Sequence, residues 1–399
     1  MRVLQVRNVN DAWYHGVRTL MSGGDREQSR VGEVIVYPEP VTTVYQRPEE
    51  RVLFCEARRA NPFFHLFESM WMLSGQSDAR WLDTFVSDFS ARFAEDSGYM
   101  HGAYGHRWRQ QFLVRDADGR HTRDQLLAIS SLLRRDPTTR QAVLEMWSPE
   151  RDLNVTVRDK PCNTHAYFRP RSVQGHLVLD MTILCRSNDI VWGAYGANAV
   201  HFSVLHEYMA AMSGMQQGMM WQVSNNWHAY VGVIEEILGR GEWRPSKLYE
   251  DFRVAASQLF PQATVGDVYD ELDDWMTAAN TYSSPRNGQL FDDLLVPMHR
   301  AWLCHRQHMY EAAQAAMDGV RHSDWQMAGQ QWLARAERRH RDRSERGDGP
   351  EDGGAGQEIP HVAGAASAVA GGASVAGVEI GASDPSIGQP GPPDGSPDA

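Results

Sequence analysis

Residues 159–168 read DKPCNTHAYF, and residues 177–198 read LVLDMTILCRSNDIVWGAYGAN. The second run is apolar and alternating, as a strand is. It ends on Arg186-Ser187-Asn188-Asp189, and a Gly-rich loop then closes on Asn198. Cys162 follows a proline, with Lys160 two residues before it and His165 three after. A thiol with cationic neighbours is what covalent catalysis requires, because the thiolate is the nucleophile and positive charge lowers its pKa. Arg186 with Ser187 and Asp189 offers a fork for phosphate or carboxylate, a hydroxyl and an acceptor. A small buried cysteine and a surface ion pair fit the same residue types.

Working outward, further short motifs stand in order: SRVGE (29–33), FESMWMLSG (67–75), GAYGHRWR (102–109), DPTTRQ (136–141), PCNTHAYF (161–168), RSND (186–189), GAYGAN (193–198) and WHAY (227–230). Together they span roughly residues 28–232. On these motifs the chain resembles the superfamily of thymidylate synthases and pyrimidine-nucleotide hydroxymethylases. The resemblance implies an α+β fold, a thymidylate synthase-like mixed sheet packed with helices that pairs sheet to sheet in a homodimer. It also implies a pyrimidine nucleoside monophosphate and methylenetetrahydrofolate as partners, with no metal.

Residue by residue, the resemblance makes Cys162 the nucleophile that adds to carbon 6 of the pyrimidine, activating carbon 5. Glu68 would relay protons to the ring through water, and Tyr104 would sit near the thiol. Arg186 would stabilise the thiolate and hold phosphate with Arg30, Arg140 and Ser187. Arg140 would reach across the dimer, though its usual second arginine is Gln141 here. Asn198 would read the base, since an amide both donates and accepts and so complements the O4 and N3–H edge of uracil. Members that use cytosine place an aspartate there, so dUMP is favoured. His228 and Tyr230 would hold the sugar hydroxyl, and Asp189 would orient the pterin.

Two departures bear on the product. Thymidylate synthases carry paired tryptophans where this chain reads DFSARFA (88–94), and the short closing carboxy-terminal segment is missing. Reduction by the folate needs the site sealed from water. Loosening that seal favours addition of water, and hence a 5-hydroxymethyl nucleotide. Thymidylate synthesis, sealed by new aromatics such as Trp192, is the alternative, together with dCMP or CMP hydroxymethylation and a non-catalytic nucleotide-binding scaffold. A Cys162–His165 hydrolase dyad is disfavoured, because a spacing of three on a strand puts the two on opposite faces. The 193–198 loop is also one residue longer than in thymidylate synthases.

The 399 residues carry a formal charge of −12, but eight acids lie beyond Arg346 with no Lys or Arg among them, leaving about −4 on the body. That near-neutral body has no footprint for direct nucleic-acid binding. No apolar run is long enough for a membrane span, no secretory leader pattern opens the chain, and four cysteines show no disulfide or metal spacing. A cytoplasmic location is expected. The expected organisation is a catalytic domain over 1–285, a helical extension over 286–346, and a disordered acidic Gly/Ala/Ser/Pro tail over 347–399. Helices are predicted over 11–21, 62–73, 81–94, 123–133, 200–212, 290–317 and 326–346. Strands are predicted over 32–37, 41–45, 142–147 and 219–223.

Overall fold

The fold was analysed in a computed structural model, which describes residues 1–29, 32–241, 243–261, 268–277 and 288–346. The expected phosphate-binding residue Arg30 and the expected tail 347–399 lie outside the described residues.

Ten strands are present among the described residues: β1 (Arg2–Val6), β2 (Asp25–Ser29), β3 (Gly32–Val36), β4 (Val41–Tyr45), the short pair β5 (Val114–Arg115) and β6 (His121–Thr122), then β7 (Val143–Glu145), β8 (Asn163–Val173), β9 (His176–Asp189) and β10 (Gln216–Tyr230). Eight form one sheet in the order β1-β4-β10-β9-β8-β7, with β3 also pairing β10 and β2 pairing β3. The sheet is mixed: β9 and β10 run parallel, whereas β8 and β9 are an antiparallel hairpin. The predicted strand over 219–223 is the middle of the fifteen-residue β10. Its polar end, SNNWHAY, is held in the ladder by pairing with β3 and β9.

Two buried helices pack near the sheet and carry site residues. Pro62–Leu73 is buried at all twelve positions, as its nearly all-round apolar sequence requires, and Asn61 caps it by accepting from Phe64 N. Asn198–Met212 is likewise buried throughout. It carries polar residues inward, among them Asn198, His201, His206 and Glu207. Glu207 is matched by a buried ion pair to Arg51 and by the amides of Leu259 and Phe260.

Two predicted helices are broken. The segment over 81–94 is a 3-10 turn (Ala79–Thr84) and a short helix (Phe89–Phe93), because Asp88 adopts a left-handed conformation (φ 57°) and Asp83 accepts from Ser90. The segment over 290–317 is a wide turn (Phe291–Leu295) running into the helix Val296–Arg306, and a separate helix Tyr310–Met317. His308, at φ 59°, reverses the chain between the two helices. The last described helix, Ser323–Arg346, starts three residues earlier than expected. Trp302 and Trp332 from these elements pack on Phe63, with ring centroids 5.3–5.5 Å apart. The late helices therefore brace the buried helix Pro62–Leu73.

Candidate active site

Cys162 lies just before β8, at the open end of the β8–β9 hairpin, where Arg186 N donates to its carbonyl at 2.9 Å. The Arg186 side chain turns back onto the same segment: Nε donates to Pro161 O at 3.0 Å and a terminal nitrogen reaches Lys160 O at 3.4 Å. Its guanidinium also stacks over Trp147, 5.3 Å from the ring centroid. The proline fixes the backbone before the thiol, and Arg186 fastens it to β9. Lys160 contributes its carbonyl.

Tyr104 begins a short helical turn beside the thiol and favours its ionised form. Arg186 favours the thiolate, but it does not set the balance. Burial raises the thiol pKa, Asp159 and Asp189 add to the rise, and Arg186 and Tyr104 only oppose it. Burial also pushes the Tyr104 hydroxyl well above its ordinary value. His165 is bonded to Tyr167 at 2.6 Å, so it is not engaged with Cys162.

Along β9 the next residues build the rest of the site. Ser187 is half-buried, in register with Asn226. Asn188 is buried and donates to Ser224 Oγ at 3.0 Å, while its own oxygen accepts from Asn198 Nδ2 at 3.3 Å. Asp189 caps the following turn through the amides of Val191 (2.8 Å) and Trp192 (2.6 Å), and sits in register with His228. Burial raises the pKa of Asp189, against the pull of His228 and Arg58. Arg58 donates to Val191 O and lies under Trp192, 4.7 Å from the ring centroid.

The turn itself (Ile190–Ala197) is wide and π-like, kinked at Gly196. Gly193 leaves room for the amide pair: a Cβ there would come 2.5 Å from Asn188 Oδ1 and 3.2 Å from Asn198 Nδ2.

Glu68 finds the distant partner its sequence context demands. His201 Nε2 lies 3.0 Å from Glu68 Oε2, both side chains being nearly sealed, although the two atoms are not aligned for a hydrogen bond. His201 is one helical turn after Asn198, so the Asn198 amide and the Glu68 partner share one helix face. Tyr230 follows His228 at the end of β10, their rings 5.7 Å apart and nearly perpendicular. Arg140 is exposed beside the edge strand β7, and none of its described contacts joins it to the thiol cluster.

Asn188, His201, Arg58 and Asp159 are the members that sequence reasoning passed over. The first stands inside the quoted RSND, the second at helical spacing from Asn198, and the fourth three residues before the thiol. Nothing in the sequence marks Arg58.

One buried oxygen of Asp189 has no hydrogen-bond partner among the described residues, and neither do Trp192 Nε1 and His228 Nδ1. A carboxylate oxygen so placed suits a ligand bearing N–H donors, which a pterin does. No group of three or more His, Cys, Asp or Glu among the described residues is arranged to hold a metal ion. No helix among them is long and apolar enough to cross a membrane.

The thymidylate synthase family model matches residues 12–255. The chain belongs to the thymidylate synthase family. Among its relatives, a deoxyuridylate hydroxymethyltransferase of Pseudomonas phage M6 is 38% identical over 349 residues, covering 84% of this chain and 94% of the relative. A protein of the same description from Bacillus phage SP01 is 34% identical over 217 residues, 53% of this chain and 55% of that one. A putative thymidylate synthase of Methanosarcina acetivorans is 27% identical over 237 residues, 57% of this chain and 89% of the relative. The M6 match is too long to lie within residues 12–255, so this family member shares with that relative sequence outside the family's common core.

Proposed function

We propose that this enzyme adds a hydroxymethyl group to carbon 5 of dUMP through a covalent adduct with Cys162. The observation that carries the reading is the match over nearly the whole of a relative described as a deoxyuridylate hydroxymethyltransferase. The site supports it. Cys162, which lies beside Arg186 and Tyr104, would be the thiol that adds to carbon 6. Asn198 gives one N–H to Asn188, which gives its own N–H to Ser224. That ordering leaves Asn198 an oxygen and a second N–H, which match N3–H and O4 of uracil.

Methylenetetrahydrofolate would supply the one-carbon unit at the oxidation level of formaldehyde. Asp189, Trp192 and His228 are the residues that would hold its pterin, and Ser187, His228 and Tyr230 would hold the phosphate and sugar of the nucleotide. Arg30 would join Arg186 on the phosphate. Glu68, steadied by His201, would manage protons on the pyrimidine ring.

A sheet-to-sheet homodimer belongs to the same reading. On β8, β9 and β10 the row Tyr167–Thr182–Trp221 and the row His165–Leu184–Val223 are cross-strand neighbours left partly exposed. A partner sheet laid on those rows would bury them, and Arg140 could then reach the partner's phosphate site.

The test is a panel of dUMP, dCMP, UMP and CMP with methylenetetrahydrofolate, for the wild type and Asn198→Asp. Turnover of dUMP by the wild type and a shift towards dCMP in the variant are expected. An unchanged base preference would remove Asn198 from its assigned role.

A further inference from the structure

The helices Pro62–Leu73, Asn198–Met212 and Ser323–Arg346, with the segment 52–55, enclose a cleft that has no part in the chemistry above. It holds about 410 Å³ of empty space, its mouth included, which is the size of a small-molecule site. Its walls are mostly apolar, Phe54, Val200 and Trp325 among them, and its polar groups include His65, Gln331 and Arg335. No residue assigned to the nucleotide or the folate lines it.

Two of those polar groups are unanswered. His65 is 3% exposed, and its Nε2 is buried with no hydrogen-bond partner among the described residues. Burial holds the imidazole pKa well below its ordinary value, so the ring is neutral and Nε2 can carry its one proton as a donor. Arg335 buries its Nε without a partner, and its side chain forms no hydrogen bond or ion pair among the described residues. Glu56 acts on it without pairing, while Arg338 and Arg339, three and four residues on along the same helix, add positive charge beside it. Gln331 stands one turn earlier on that face and can donate as well. The positive N-terminal end of helix Pro62–Leu73 opens on the same space. A buried donor without an acceptor is costly, and a ligand that supplies the acceptor relieves it.

The lining selects the ligand. A phosphate dianion brings more charge than one partly buried guanidinium balances, and no apolar surface to cover the walls. A carboxylate brings a single charge in the planar shape that a guanidinium fork fits. We propose that this cleft is a second binding site, which takes the carboxylate of a small organic acid on Arg335 and His65 and its apolar body along Phe54, Val200 and Trp325. His65 is one turn before Glu68, and Val200 adjoins His201, so an occupant rests on the two helices that carry the Glu68–His201 pair.

The test is a ligand-observed NMR titration of the full-length protein with butyrate, repeated with phosphate and with butyramide as competitors. A dissociation constant on the order of 1 mM is expected, which is what so small a ligand can supply. Arg335→Gln should weaken binding roughly tenfold or more, the size of a lost hydrogen bond to a charged group, with the melting temperature without butyrate little changed. Arg338→Gln, at an exposed position, should leave binding nearly intact. Butyramide has the shape without the charge and phosphate the charge without the apolar body, so both should compete poorly. That wild-type comparison decides the matter even if Arg335→Gln does not fold. No butyrate bound, or binding unchanged in Arg335→Gln, would overturn the proposal. So would an equal loss in both variants, the mark of diffuse attraction to a basic helix. Butyramide competing as well as butyrate would reduce the site to an apolar cleft, and phosphate competing better would refute the carboxylate.

Discussion

Cys162 sits between opposing influences. Burial and the nearby carboxyls of Asp159 and Asp189 disfavour its thiolate, while Arg186 and Tyr104 favour it, and burial is the largest. The sign follows: a group whose charged form is penalised ionises at higher pH, so the free protein holds Cys162 mainly as the thiol at neutrality. Alkylation of Cys162, followed by peptide mass against pH, should show a midpoint above the ordinary thiol range. Arg186→Ala should move it higher still; a midpoint below that range would mean the cation wins. The sequence displays Lys160 and Arg186 beside the thiol but not the depth at which the thiol lies, and depth decides the direction. For the same reason the Glu68 side chain was legible as a buried acid in need of a partner, while the partner, His201, had to come from the fold.

The turn Ile190–Ala197 shows how far local pattern reaches. That the Gly-rich loop folds as a wide helical turn, keeping Asn198 against Asn188, is a matter of tertiary packing. Gly193→Ala would place a carbon 2.5 Å from Asn188 Oδ1, closer than any real contact, so the amide pair must separate. The expected result is a raised KM for dUMP and a lowered kcat, with the melting temperature little changed; unaltered kinetics would show that the pair does not position the base. Apolar periodicity found the helices Pro62–Leu73 and Asn198–Met212 nearly to the residue. It ran together elements broken by the left-handed residues Asp88 and His308, neither of which is glycine. Aspartate and histidine tolerate that conformation without advertising it.

For the molecule as a whole, the family's shared core carries every candidate site residue, and the helices after it brace that core. Trp302 is buried against Phe63 and Trp332 and donates to Thr84 O at 2.7 Å. Trp302→Ala should cost about 3–5 kcal/mol in denaturant unfolding, the range for a large core truncation; a loss near zero would make the extension an ornament. The proposed dimer is tested by Trp221→Asp, on the half-open row of β10. It should convert a dimer into a monomer in sedimentation velocity and lose activity with it, and a monomeric wild type at assay concentration would contradict the arrangement. The central claim concerns the fate of the added carbon, and one reaction tests it directly. Purified full-length protein is incubated with dUMP and methylenetetrahydrofolate, while the mass of the nucleotide product and the absorbance of dihydrofolate are followed together. A nucleotide heavier by one CH2O, with no dihydrofolate formed, is the predicted result. A methylated nucleotide with an equal amount of dihydrofolate would contradict it.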